Sequence, residues 1–388
     1  MPPLEPAPAE PGPPEDAPPE PFAPEPAAGL APTPEPPPAF TPAPAPGGND
    51  AARRAWRGLL VWLVALVVAG VGVLIGQAEA AALILLGVLF AGAQAADADP
   101  SWRQLWALFA LVPPLAGAAT FAYLVAMLLT GDLPPAQRTI GAAFALAGAL
   151  ALGLSALPRI ARAIARRMFR TSSPSYAEIL GAQVALAGLL LSVPAWFAFE
   201  SIADSLLENP APLLEKSRLS GALLGYALVA LGGVGCWVRR DLRQSLDRLG
   251  LHPIRKRHLG IIAIGAVALF VLNGGGEAIQ HRFFPALWAS DREMTKMLAR
   301  AMTPGRIALL SLSAGVGEEV TLRGGLQPRL GLLPTSLLFA ALHVQYSWFG
   351  MLLVFTLGLT LGVVRQRAST TAAIVVHALY DMLALISS

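Results

Sequence analysis

Residues 58–76 read GLLVWLVALVVAGVGVLIG, nineteen consecutive positions without a charge. At about 1.5 Å of rise per residue, a helix of that length reaches about 30 Å, the thickness of the hydrocarbon core of a bilayer. Comparable runs recur near 80–96, 104–130, 139–157, 178–199, 219–238, 258–273, 304–322, 334–346, 348–364 and 369–386. Together they give about eleven candidate spans, and the expected fold class is an all-α, polytopic transmembrane helical bundle. Pro113 and Pro114 in the third run, and the brevity of the ninth, predict a kinked or re-entrant helix at each.

Composition points the same way. The chain has 388 residues, 55% hydrophobic and 14% charged, whereas a soluble domain carries roughly 25% charge. Water is therefore not the solvent for most of it. The net charge is +3, and the basic residues lie between apolar runs rather than along one face with interleaved aromatics, which argues against nucleic acid as a partner. Cys236 is the sole cysteine, so neither an internal disulfide nor a thiolate metal cluster can form. Residues 1–52 are mostly Pro, Ala and Glu and are expected to be a disordered cytoplasmic tail. The first 50 residues lack both an apolar core and any Lys or Arg, so no signal peptide is expected there.

Arg53, Arg54 and Arg57 precede the first run, which predicts a cytoplasmic N-terminus. Alternate crossings then place Arg159–Arg170 and Arg239–Arg257 inside and the acidic loop Glu200–Arg218 outside. Residues 274–303, with Arg282, Arg292, Lys296 and Arg300, fit less well and are read as an interfacial amphipathic piece.

Ionisable groups inside a bilayer are costly and mark function. The first seven runs carry almost none, while Glu318–Asp381 carries several. Glu319 and Arg323 stand four apart, on one helical face, and can pair. Glu318 is displaced by about 100° and has no such partner. This asymmetry predicts one structural and one chemical carboxylate. Phe339 and His343 are four apart on the next apolar segment, as are His377 and Asp381 on the last. A lone mid-span histidine is ordinarily a hydrogen-bonded packing residue; three helices carrying such groups together are harder to read that way. Helical rise puts Glu318, His343 and His377 at one depth, about 12 to 17 Å from the cytoplasmic face. The expected arrangement is a polar cavity lined by carboxylates and two imidazoles.

Glu318-Glu319-x-x-x-Arg323, Phe339-x-x-x-His343 and His377-x-x-x-Asp381, in this order, resemble the three signatures of the CPBP family, the type II CAAX prenyl endopeptidases and their bacterial relatives. The likeness covers about residues 300–388, with residues 53–299 as preceding transmembrane helices. Leu322 stands where the family often has Phe, and Asp381 where it often has Asn. The resemblance implies an intramembrane endopeptidase of a bacterial inner membrane that cleaves a membrane-associated protein or peptide. Glu318 would be the general base, His343 would orient the water, and His377 would stabilise the oxyanion. Asp381 would act on His377, with Glu319, Arg323 and Phe339 in support. Two chemistries are compatible with it: a metal-independent glutamate mechanism, or Zn²⁺ held by the histidines and carboxylates. No His-Glu-x-x-His helix is present, which favours the first, with no cofactor required.

Competing readings are a transporter, whose polar residues would be expected in both halves of the chain, and a non-catalytic scaffold or bacteriocin immunity protein. Glu277 and His281, four apart after Gly274, Gly275 and Gly276, are read as an interfacial pair in a glycine-rich turn rather than as a second site.

Overall fold

A computed structural model describes residues 48–131, 133–208, 216–300 and 302–387. The expectation of a disordered tail falls on residues outside these, apart from Gly48 onward, which is helical. Proline in the first turn and glycine in left-handed conformation punctuate the helices. The helices α4 (Val112–Thr130), α5 (Pro135–Ser155), α6 (Pro158–Phe169) and α12 (Pro304–Glu318) all carry Pro in the first two positions, where a missing N–H costs nothing. Gly76 closes α1 (Gly48–Leu74), and Gly250 closes α9 (Leu242–Arg248), both with positive φ. The other helices before the site are α2 (Ala78–Ala98), α3 (Trp102–Phe109), α7 (Tyr176–Glu208), α8 (Lys216–Gly233), α10 (Lys256–Phe283) and α11 (Pro285–Arg300). After α12 come a π-helical stretch (Glu319–Leu326), α13 (Gln327–Leu330), α14 (Leu332–Ala341), α15 (Trp348–Arg367) and α16 (Thr370–Ile386).

The chain is thus an all-α membrane bundle. Among the described residues six segments, Ala78–Ala98, Trp102–Thr130, Pro135–Ser155, Tyr176–Phe199, Lys256–Phe283 and Trp348–Arg367, are long and apolar enough to cross a bilayer. Leu60–Leu74, Leu332–Ala341 and Thr370–Ile386 are shorter apolar helices, so by this measure the expected count of eleven is not reached. The third run breaks at Ala110–Leu111, just before the paired prolines. Its two halves are α3 and α4.

Two expectations are corrected. Gly274, Gly275 and Gly276 form no turn: they lie inside α10, which runs on to Phe283. Backbone hydrogen bonds satisfied within the helix outweigh the modest helix cost of glycine where the bilayer supplies no alternative partner. The amphipathic piece is therefore α11 alone, which turns Met294 and Met297 inward. Further on, the ninth run is helical only to Ala341, leaving Leu342–Ser347 irregular.

In the N-terminal part α2 packs against α1 and α8, and α4 against α5 and α7. Small residues make the closest approach: a Cβ on Gly87 of α2 would lie 2.7 Å from the Leu228 carbonyl oxygen on α8. In the C-terminal part α16 lies against α10, α12 and α15. Leu269, Leu322, Phe339, Leu361, Ala373 and Val376 form the core there. One end of the molecule is basic. Arg159, Arg162, Arg166, Arg167 and Arg170 of α6 are exposed, and Ala161 and Ala165 pack inward. Burial, then the neighbouring charges of Arg329, Arg240 and Arg365, push Arg248 down to about 10.

Candidate active site

Several elements build a shared cavity of about 620 Å³. The end of α12 brings Glu318, the irregular segment after α14 brings His343, and α16 brings His377 and Asp381. Phe339 of α14 also lines it, as do Gln280 of α10 and Asp291 and Arg292 of α11. Irregular backbone at membrane depth is tolerated where it lines a cavity. Leu342–Ser347 does so through His343, Gln345 and Tyr346.

The two adjacent glutamates face different surroundings. Glu318 is partly exposed and lines the cavity, and its Oε2 is buried with no hydrogen-bond partner. Glu319 is fully buried behind the cavity, where its Oε1 lies 3.1 Å from His377 Nδ1. Its Oε2 lies 3.5 Å from Arg323 Nε, an ion pair longer than a good hydrogen bond.

Arg323 is likewise fully buried. Its guanidinium carbon sits 4.7 Å from the centroid of the Phe339 ring, and its Nη2 donates to the Gly358 carbonyl at 3.1 Å. Four residues later Gln327 Nε2 donates to the Gly362 carbonyl at 2.9 Å. Both steps are four residues long, so the π-helical stretch and α13 are registered on α15 by two equivalent rungs. Glycine is required at the first: a Cβ on Gly358 would lie 2.9 Å from Phe339 Cδ1 and 3.3 Å from Arg323 Nη2.

The two histidines are held differently. His343 Nδ1 lies 2.7 Å from the Phe339 carbonyl oxygen. A carbonyl only accepts, so Nδ1 carries a proton, and in the neutral ring Nε2 keeps its lone pair. His377 stands between two carboxylates, with Nδ1 on Glu319 and Nε2 3.4 Å from Asp381 Oδ2. The ring of Phe339 separates the imidazoles, with centroids 4.7 Å from His343 and 5.9 Å from His377.

Sequence spacing gave Glu319 one partner, Arg323; the structure adds His377, 58 positions away. That contact carries no local sequence signal. His343 lies beyond the last turn of α14 rather than in mid-helix. Glu277 accepts from Asn273 Nδ2 at 2.6 Å and lines the same cavity, and His281 packs edge-on to Trp288 at 4.3 Å. The pair is thus divided between the cavity wall and an aromatic contact.

Among the described residues no three or more His, Cys, Asp or Glu side chains are grouped to hold a metal ion. Both ring nitrogens of His377 already face carboxylate oxygens.

Residues 300–383 match the family model described as type II CAAX prenyl endopeptidase, Rce1-like. The uncharacterized protein YpbD of Bacillus subtilis (strain 168) is 26% identical over 141 residues, covering 36% of this chain and 71% of that protein. No solved structure matches the chain.

Proposed function

From the premise of a CPBP-type domain over residues 300–383 in a multi-pass membrane protein, we propose that the chain is an intramembrane endopeptidase with Glu318 as its general base. The observation that carries this reading is Glu318 itself, which lines a cavity shared with His343, His377 and Asp381 and has a buried Oε2 with no hydrogen-bond partner. An unpaired buried carboxylate is costly to keep, whereas the neighbouring Glu319 is tied to both His377 and Arg323.

In this reading a water donates one proton to the Glu318 carboxylate and the other, as a hydrogen bond, to His343 Nε2. The water oxygen attacks the peptide carbonyl carbon as Glu318 takes its proton. The developing oxyanion accepts a hydrogen bond from His377 Nε2–H, whose contact with Asp381 is long enough at 3.4 Å to be exchanged. Collapse breaks the C–N bond, and Glu318 returns its proton to the leaving nitrogen. Glu319 accepts from Nδ1 and holds the ring, Asp381 acts through the same imidazole, and no metal takes part. The substrate is a membrane-associated protein or peptide. The proposed orientation follows the Lys and Arg bias, with the N-terminus and the clusters Arg159–Arg170 and Arg239–Arg257 cytoplasmic, in a bacterial inner membrane.

The test compares purified wild type with Glu318→Gln on an internally quenched peptide bearing one apolar membrane anchor. Turnover should fall by about 10²–10⁴-fold with no change in thermal stability in detergent. Equal turnover in the two proteins would refute the assignment and favour a scaffold or transport role.

A further inference from the structure

The cavity lining also holds a polar cluster that the reaction as written does not use. Asp291 of α11 accepts from the Ser347 backbone N–H at 2.6 Å through Oδ1, and from Ser347 Oγ at 2.7 Å through Oδ2. Gln280 of α10, only 2% exposed, donates its Nε2 to the same Oδ2 at 2.7 Å and approaches Ser347 Oγ at 3.2 Å. Ser347 in turn is the N-cap of α15, its Oγ accepting from the Gly350 N–H at 3.2 Å. The fit is tight: a Cβ on Gly350 would lie 2.6 Å from Asp291 Oδ2.

The cluster joins three helices at one end of the irregular segment Leu342–Ser347. At the other end of that segment His343 Nδ1 is fixed by the Phe339 carbonyl. Between them the Tyr346 N–H donates to the His343 carbonyl at 3.2 Å. The Leu342 and His343 N–H groups bond back to Leu338 and Ala340 of α14 at 3.2 and 3.0 Å, so the α14 end is tied by the backbone, and the anchor at Ser347 fixes the other end.

We propose that Asp291 is a positioning residue, which clasps Ser347 and thereby fixes His343 opposite Glu318. A single carboxylate meets three donors from two elements, and that is a poor arrangement for a solvent-exposed rim but a good one for a fixed joint. Arg292, next along α11, stacks on Trp288 at 5.1 Å, and Lys296 pairs with Glu293 at 3.1 Å. Neither takes up Asp291. Helix α11 is on this account part of the active-site frame.

The inference rests on the endopeptidase reading, so its test carries one arm that does not depend on turnover. Amide exchange is measured over residues 342–350 and, as an internal reference, over 304–326 in wild type, Asp291→Asn, Asp291→Leu and Ser347→Ala. Asp291→Leu should speed exchange in 342–350 and leave 304–326 unchanged. On the quenched peptide it should lower kcat by about tenfold to a hundredfold with KM within about twofold, as displacement of a catalytic group does. Asp291→Asn, whose Oδ1 still accepts from the Ser347 N–H, should restore most of both. If Asp291→Leu does not fold, Ser347→Ala should show the same local exchange with a smaller loss of kcat. Unchanged exchange in 342–350, uniform acceleration everywhere, or a raised KM with intact kcat would overturn the clasp. Should Glu318→Gln turn over as fast as wild type, the endopeptidase reading fails while the exchange arm still decides the joint.

Discussion

The helices before α9 and those from α10 onward bury polarity in different ways. Among the described residues of the first group the buried polar side chains are neutral: Gln94, Ser155 and Gln183. Each meets a backbone carbonyl, as Gln183 Nε2 meets Ser155 at 2.8 Å. Large apolar side chains such as Leu66, Val67, Leu146 and Leu150 point outward, as a lipid-facing surface requires. In the second group Glu319, Arg323 and His377 are buried together and hold one another. Close packing of small residues suffices to join helices in a membrane, so the ionic cluster is not needed for assembly. On the proposed reading, its presence marks the part of the bundle that does chemistry.

Removing one member of that cluster should give the largest structural effect. Glu319→Ala leaves Arg323 buried without its counter-charge, and about 3–5 kcal/mol of stability should be lost. Melting in detergent would show this, while Glu318→Gln should melt with wild type. Equal losses in the two variants would erase the distinction between the glutamates.

Glycines sharpen the comparison at a smaller scale. Gly358→Ala intrudes on Phe339 and Arg323 and should cost about 1–3 kcal/mol. Gly153→Ala near the end of α5 meets nothing within 4 Å and should be neutral or stabilising by up to about 1 kcal/mol. Similar melting shifts for the two would mean that the C-terminal frame is no tighter than the rest.

The smallest expected change is at Asp381, at the cavity edge with its side chain 25% exposed. Asp381→Asn keeps a polar partner for His377 Nε2, so turnover should stay within about tenfold of wild type, roughly 1.4 kcal/mol, with a displaced pH profile. Asp381→Leu should lose activity across the range. Superimposable profiles for wild type and Asp381→Asn would show that the charge at this position does not reach His377.

Much of this division was legible in the sequence, because an apolar run of bilayer length and a carboxylate within it are both local signals. The meeting of Glu318, His343 and His377 at one cavity followed from helical rise alone. What stayed hidden depends on contacts across the bundle. Gly274–Gly276 looks like a turn in isolation, yet α10 continues through it, with Gly276 set against Leu353 of α15. Asp291 looked like one more charge on an amphipathic segment, since its partners lie 11 and 56 positions away. The π-helical stretch was invisible for another reason: a four-residue spacing reads the same whether the turn is tight or wide.

That wide turn bears on how this stretch tolerates changes of length. A π-helical turn holds an extra residue compared with the α-helical path, and loss of one residue there would let it relax to the regular form. Losing Gly325, for example, would leave Arg323 and Gln327 three positions apart, while Gly358 and Gly362 on α15 remain four apart. One rung or the other would then miss its carbonyl. An added residue would fail in the opposite sense. Surface loops absorb such length variation freely, but between Glu319 and Gln327 the chain is measured out against a neighbour, so substitutions there can be graded whereas insertions and deletions are all or none.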